Sequence, residues 1–311
     1  MSFTQNVKEE LSKHYPSARH CNIAEIAAII NFLGKINIKE GVITVGTENP
    51  LIATKYASMV KKTYSASCVC KETPVSGKKS AINYSVSVSG EDAKNILLST
   101  KIGNVTESDM VTRNACCKRA YLRGAFLATG SVTDPNKSYH FEMVCKDNVK
   151  ALKLQEILKS FDISAKIVER KSHFVVYLKD ASEIVDVLNV MEAFVSLMEF
   201  ENVRIVKEVR NNVNRNVNCE TANLNKTVSA AVRQRQDIEL IRKKRGLESL
   251  PDTLYEIALL RLDNPDATLL ELGAMLENPV GKSGVNHRLR KLSEIAKNLK
   301  EDDNGNQKHE S

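Results

Sequence analysis

Apolar residues change their spacing several times along the first two thirds of the chain, and each change marks an element. "CNIAEIAAIINFLGKI", from Cys21, is apolar almost all round and stops at Gly34, which predicts a helix buried on every side. "NIKEGVITVGTEN" then alternates in two short runs around Glu40-Gly41, the pattern of a strand pair. "PLIATKYASMVKKTY" returns to three- and four-residue spacing and predicts a second helix. "ASCVCKETPVSGKKSAINYSVSVSG" predicts two strands around a turn at Gly77, and "EDAKNILLSTKI" closes the unit as a helix.

The same order recurs further along. "CCKRAYLRGAFLATGSV" predicts a helix, "PNKSYHFEMVCKD" a strand region and "NVKALKLQEILKSF" a helix. "SAKIVERKSHFVVYLKD" reads as a hairpin turning at Arg170-Lys171-Ser172, and "ASEIVDVLNVM" as the closing helix. The two copies, about 21–102 and 115–191, each read αββαββα, with Gly34 matching Gly130, Asn49 matching Asp147 and Glu91 matching Asp180. Within "AYLRGAFLATGSV", Gly124 and Ala128 lie on one helical stripe, and small residues at that spacing let a second helix approach backbone to backbone. The expected fold is therefore α+β: a duplicated domain over 1–203 with its two leading helices paired at the centre and a sheet on each side.

After residue 203 the pattern changes. Residues 204–250 are rich in asparagine and basic residues, with 11 Lys/Arg against 4 Asp/Glu between Arg204 and Arg245. This roughly +7 equals the formal charge of the whole chain, so the rest is close to neutral. Asn212, Asn214, Asn216 and Asn218 alternate, an unusual pattern for a helix. "NKTVSAAVRQRQDIELIRKK" reads as a helix able to pack on the first domain. The stretch reads equally as a solvated face or as a phosphate-contacting connector, with Arg242, Lys243, Lys244 and Arg245 its densest charge.

Residues 251–300 read as a small all-α domain ahead of a polar tail, 301–311. A helix starts at Pro251 and ends before Pro265. A second carries Leu269, Leu270, Leu272, Met275 and Leu276 as its apolar set, with Asp266 or Thr268 as N-cap. In the last helix Val285, Leu289, Leu292 and Ile295 fall on one face. Three short helices with a compact link before the last one predict a helix-turn-helix. Lys282 and Ser283 at the start of that helix suit a phosphate, and Asn286, His287, Arg288, Arg290 and Lys291 lie off the apolar stripe. Asn286, Arg288 and Arg290 are the candidate readers of base edges, while His287 by itself is weak evidence.

Composition adds boundaries. The opening "MSFTQNVKEELSKHYP" lacks the apolar core of a signal peptide, and no apolar run is long enough for a transmembrane helix, so a cytoplasmic protein with no membrane partner is expected. The cysteines, Cys21, Cys68, Cys70, Cys116, Cys117, Cys145 and Cys219, form no Cys-x-x-Cys pair. They are expected to be reduced thiols used as small apolar residues, with no metal and no cofactor.

The helices "IAAIINFLG" and "LRGAFLATG" resemble the LAGLIDADG helices of homing endonucleases, in which an acidic residue before each final glycine holds divalent metal. Those positions here are Leu33 and Thr129. A leucine cannot ligate a hard cation and a lone threonine is a poor substitute, so no catalytic residue and no nuclease activity are expected. With "MSFTQNVKEELS", "NRNVNCETANLNKTVSAAVRQ" and "LGAMLENPVGKSGVNHRLRKLSEIA", the whole chain resembles the WhiA family. That resemblance implies a DNA-binding transcription regulator of the nucleoid, linked to cell division and, in spore formers, sporulation. Its implied partners are double-stranded DNA and other transcription regulators. A nucleoid-associated scaffold with little promoter control, and a residual nuclease using other acids, stay open beside it.

Overall fold

The computed structural model describes residues 2–75, 81–102 and 108–306; the expected turn at Gly77 lies outside them. After helix α1 (Phe3–Lys13), the first copy runs α2 (Arg19–Leu33), β1 (Gly34–Asn37), β2 (Val42–Thr47), α3 (Pro50–Tyr64), β3 (Val69–Pro74), β4 (Ile82–Ser89) and α4 (Gly90–Thr100). A single helical turn, α5 (Ser108–Val111), precedes the second copy. That copy is α6 (Ala115–Thr129), β5 (Gly130–Val132), β6 (Phe141–Cys145), α7 (Asn148–Lys159), β7 (Lys166–Arg170), β8 (His173–Leu178) and α8 (Ala181–Val190). Each copy is αββαββα, and the two sheets are wound alike, in the orders β1-β2-β4-β3 and β5-β6-β8-β7, with every neighbouring pair antiparallel. The fold class is α+β.

Equivalent residues do equivalent work in the two copies. Gly34 and Gly130 both end the leading helix in extended backbone. Asn49 caps α3 by accepting from the Leu51 N–H, and Asp147 caps α7 by accepting from the Lys150 N–H. One expected match is displaced: Asp180 caps α8, but the residue in that place before α4 is Ser89, not Glu91, which lies inside the helix. The shift arises because α4 begins on Gly90, whose positive φ lets the chain turn straight from β4 into the helix.

The central helices α2 and α6 cross at Gly124. A Cβ there would stand 2.6 Å from the Glu25 carbonyl oxygen and 2.9 Å from the Ala28 Cβ, so the backbones meet with nothing between them. The apolar sets on either side of this pair form two cores. Ile26, Ile29 and Ile30 pack on the first sheet with Ile43, Val45, Tyr56 and Val86. Leu122, Phe126 and Leu127 pack on the second with Phe141, Met143, Leu154 and Val176. Helix α1 fastens onto the second sheet, because the Thr4 hydroxyl donates to the Val132 carbonyl (2.7 Å) and accepts its N–H (2.9 Å).

Charges that the apolar pattern concealed lie inside this pair. Glu25, Lys55 and Arg123 are almost wholly buried. Glu25 meets Lys55 at 2.5 Å and Arg123 Nε at 3.0 Å, and Arg123 continues to Glu192 at 2.6 Å. The Lys55 ammonium also donates to the Leu11 and His14 carbonyls (2.6 and 2.8 Å). The network ties α1, α2, α3, α6 and the end of α8 together, and every charge in it has an opposite neighbour.

Beyond α8, helix α9 (Phe194–Arg245) runs through the asparagine-rich stretch without interruption. Glu10 caps its start, accepting from the Val195 and Ser196 N–H groups (2.7 and 2.9 Å). The chain divides into two compact units, 1–208 and 209–311. The stretch expected as a connector, 204–250, spans that division. Phe200 belongs to the first unit's core, while Ile238, Ile241, Leu247 and Leu250 belong to the second's. Asparagine is a weak helix former, but a helix anchored at both ends propagates through it, since extending a helix is far easier than starting one.

The second unit completes its core with α10 (Asp252–Asp263), α11 (Leu269–Met275) and α12 (Lys282–Asn306), which continues through residues 301–306 of the expected tail. Among the described residues no helix is long and apolar enough to cross a membrane.

Glu25→Met would leave Lys55 and one side of Arg123 buried without their counter-charge. Urea denaturation of the full chain is expected to show about 3–5 kcal/mol less stability. A loss below about 1 kcal/mol would mean that these charges are not desolvated together.

Candidate nucleic-acid interface

Two surfaces could meet nucleic acid, one in each unit. In the first, Leu33 and Thr129 stand at the C-terminal ends of the paired helices, where the endonuclease acids would be. Both line a groove of about 490 Å³ with Lys35, Lys146, Lys150 and His173, and among the described residues no acidic side chain lines it. The Thr129 hydroxyl donates back to the Ala125 carbonyl (3.3 Å), so it is turned towards its own helix. On the first sheet, Thr44, Ser85 and Asn83 add hydroxyl and amide groups to the groove. Their neighbours Ile43, Val45 and Val86 are buried on the other side of the same strands. Glu142 faces outward from the second sheet but is engaged by His140 at 3.0 Å and approached by Arg170 at 3.9 Å.

In the second unit Thr268, not Asp266, caps α11. It forms a reciprocal capping box with Glu271, and the Thr268 donors hold that carboxyl below its ordinary range. Leu272 and Leu276 enter the core and Leu269 is half-buried, but Leu270 and Met275 are exposed, because a seven-residue helix has room for only one inward stripe. The link to α12 folds hard against α11: a Cβ on Gly273 would stand 2.2 Å from the Val280 carbonyl oxygen, and the Val280 N–H donates to the Gly273 carbonyl (3.1 Å). Buried Arg261 braces the preceding loop by donating to the Pro265 and Ala267 carbonyls (3.3 and 2.7 Å).

On α12, Val285, Leu289 and Leu292 are buried as expected, whereas Ile295 is only half-buried and Ala296 completes the stripe. Opposite that stripe, Lys282, Asn286 and Arg290 form one exposed row, and Ser283, His287 and Lys291 a second beside it. Lys282 and Asn286 also line a cleft of about 470 Å³ with Lys226 and Gln234 of α9, partners the sequence could not supply.

Arg288 is not on this face. It lies three residues after Val285 and four before Leu292, on the flank of the apolar stripe, and its side chain is 18% exposed, 3.9 Å from Glu256. Glu256 also accepts the Glu277 N–H (2.5 Å), so it links α10, the turn after α11 and α12. The expectation that Arg288 points outward is corrected on that ground. Arg242, Lys243, Lys244 and Arg245 are all exposed at the end of α9, and Arg242 pairs with Glu239 at 2.8 Å.

Three family models match the chain in succession. They are the WhiA N-terminal LAGLIDADG-like domain over 19–103, the WhiA LAGLIDADG-like domain over 118–210 and the WhiA C-terminal HTH domain over 213–296. A probable cell division protein WhiA of Lachnoclostridium phytofermentans is 48% identical over 97% of this chain and 100% of its own. The chain belongs to the WhiA family. The protein of the same description in Alkaliphilus oremlandii is 45% identical over 97% of this chain and 98% of its own. The crystal structure of full-length WhiA from Thermotoga maritima matches with a TM-score of 0.62 at 25% identity, over 96% of this chain and 99% of that one.

Within this WhiA helix-turn-helix Arg288 lies against Glu256 at the edge of the packed face of α12. Arg288→Ala and Glu256→Ala are each expected to cost about 0.5–1 kcal/mol of stability. The double variant should lose less than the sum, as measured by thermal unfolding. Strict additivity would detach the two side chains from each other.

Proposed function

We propose that the protein binds double-stranded DNA sequence-specifically as a transcription regulator and does not cleave it. The observation that carries this reading is the exposed double row on α12. It presents two lysines, an arginine, an asparagine, a histidine and a serine from a helix whose opposite face is locked into the core. Such a helix can enter the major groove with its orientation fixed, Lys282 and Ser283 at its start meeting phosphate and Asn286 and Arg290 meeting base edges. Sequence reading is assigned to Asn286 and Arg290, with His287 and Lys291 beside them and Arg288 holding the helix in place.

The lysine-lined groove of the first unit supports the second half of the proposal. An electropositive groove with a leucine and a threonine at the acid positions favours phosphate and offers no carboxylate pair for the metal that phosphodiester hydrolysis needs. The relatives' names point to a role in cell division. Sporulation in a spore-forming host, a nucleoid location and interaction with other transcription regulators extend the same reading.

A second reading, a nucleoid-associated scaffold, is favoured by one observation. Arg210, Arg215, Arg233, Arg235 and the Arg242–Arg245 run are exposed along α9, where contacts to phosphate would carry no sequence information.

Competition binding on a mapped target and a scrambled duplex separates the two. Asn286→Ala or Arg290→Ala is expected to lower discrimination by about 1–3 kcal/mol. Neutralising Arg242, Lys243, Lys244 and Arg245 should weaken both duplexes alike and flatten the salt dependence by up to about one unit of slope per lost phosphate contact. A protein that binds target and scrambled duplex equally, and keeps that ratio in both α12 variants, is the scaffold. Supercoiled plasmid incubated with the protein and Mg²⁺ or Mn²⁺ should stay intact. Nicking that co-purifies with the protein, and is lost in a Glu142→Gln variant, would overturn the non-catalytic reading.

A further inference from the structure

The opposite ends of the central helices hold a second constellation. His20 and Cys21 are the second and third residues of α2, and Cys116 and Cys117 are the second and third residues of α6. The duplication thus places two pairs at equivalent positions, and the helix crossing brings all four together. The His20 Nδ1 lies 3.1 Å from the Cys117 Sγ and 3.3 Å from the Cys21 Sγ. One ligand atom from each of the four residues lies within 4.8 Å of every other. We propose that His20, Cys21, Cys116 and Cys117 form a tetrahedral zinc site that clamps the N-terminal ends of the two central helices.

The donor set and its dimensions fit that ion. Three thiolates and an imidazole are a closed structural zinc set, with Zn–S of about 2.3 Å and Zn–N of about 2.0 Å. A tetrahedron of those bonds has edges of about 3.5–3.8 Å, so the two His20–thiol contacts need to open by a few tenths of an ångström and no other pair has to close by more than about 1 Å. Soft thiolates exclude magnesium and calcium and select zinc among the common divalent ions. Cys21 and Cys117 are buried over Ala24 and Ala120, while His20 and Cys116 are exposed, which leaves a path for the ion. Purely apolar packing would explain the two buried thiols but not the exposed imidazole and thiol gathered over them.

The helix ends fit the charge as well. Zinc with three thiolates carries one net negative charge, and each helix N-terminus presents partial positive charge. Neither α2 nor α6 has a side-chain cap at that end. The site is separated from the groove at Leu33 and Thr129 by the length of a 15-residue helix, on the order of 20 Å. The ion therefore has a structural role, holding the helix pair at the end away from the groove.

The test uses the full-length protein, reduced, stripped of metal and titrated with zinc against a chromophoric chelator. One equivalent of zinc should bind and raise the melting temperature, and Co²⁺ in its place should give the visible absorption of a tetrahedral thiolate site. Cys116→Ser and His20→Ala change exposed side chains, so the chain keeps its fold, and each should weaken zinc by at least about 100-fold. Cys219→Ser, on exposed α9, should change nothing. Absence of stoichiometric zinc in the reduced protein, wild-type affinity in Cys116→Ser, or a Cys21–Cys117 disulfide forming equally fast with and without zinc would overturn the proposal.

Discussion

A side chain at position 124 would meet the backbone of α2 within 2.6 Å, so the first unit can exist only with its two central helices in bare contact. Two cores and two sheets hang from that crossing. Each copy buries one flank of its helix against its own sheet, and the sheets are held apart at a distance set by the helix pair. Small residues make the approach possible, but they contribute little buried area of their own. The pair is therefore secured by what surrounds the crossing. The Glu25–Arg123–Lys55 network joins five elements in the interior, where an ion pair survives only if every charge and remaining polar atom is matched.

The same duplication shapes both ends of the pair. At the C-terminal ends it places Leu33 and Thr129 together over a groove edged by lysines. The position has an electropositive lining and a hydroxyl turned back on its helix. At the N-terminal ends the duplication gathers a histidine and three cysteines. Equivalent positions in the two copies converge in both places, one favouring polyanion contact and the other thiolate chemistry.

In the second unit the decisive constraint is how α12 is rolled about its axis. Val285, Leu289, Leu292 and Ala296 lock one face, and Glu256 takes Arg288 at the edge of that face. What remains outward is two parallel rows, a surface with a defined direction. The long helix α9 contributes Ile238 and Ile241 to this core and Lys226 to the cleft beside Asn286, so the part of the basic stretch after residue 208 is integral to the unit.

Much of this was legible in the chain itself. Alternation and three-to-four spacing are local properties, and they located the strands, the helices, the duplication and the inward stripe of α12. The changed residues Leu33 and Thr129 could also be read directly, because their meaning depends only on their place in a recognisable helix. Three things depended on tertiary structure. Buried charge was invisible because Glu25, Lys55 and Arg123 become partners only when three helices converge. The roles of Arg288 and Met275 turned on a rotation of a few tens of degrees, which periodicity does not resolve for residues at the edge of a stripe. The histidine–cysteine cluster lacks any local spacing motif, since its pairs lie on different helices of different copies. Local periodicity determines which elements form; only their packing decides which side chains meet.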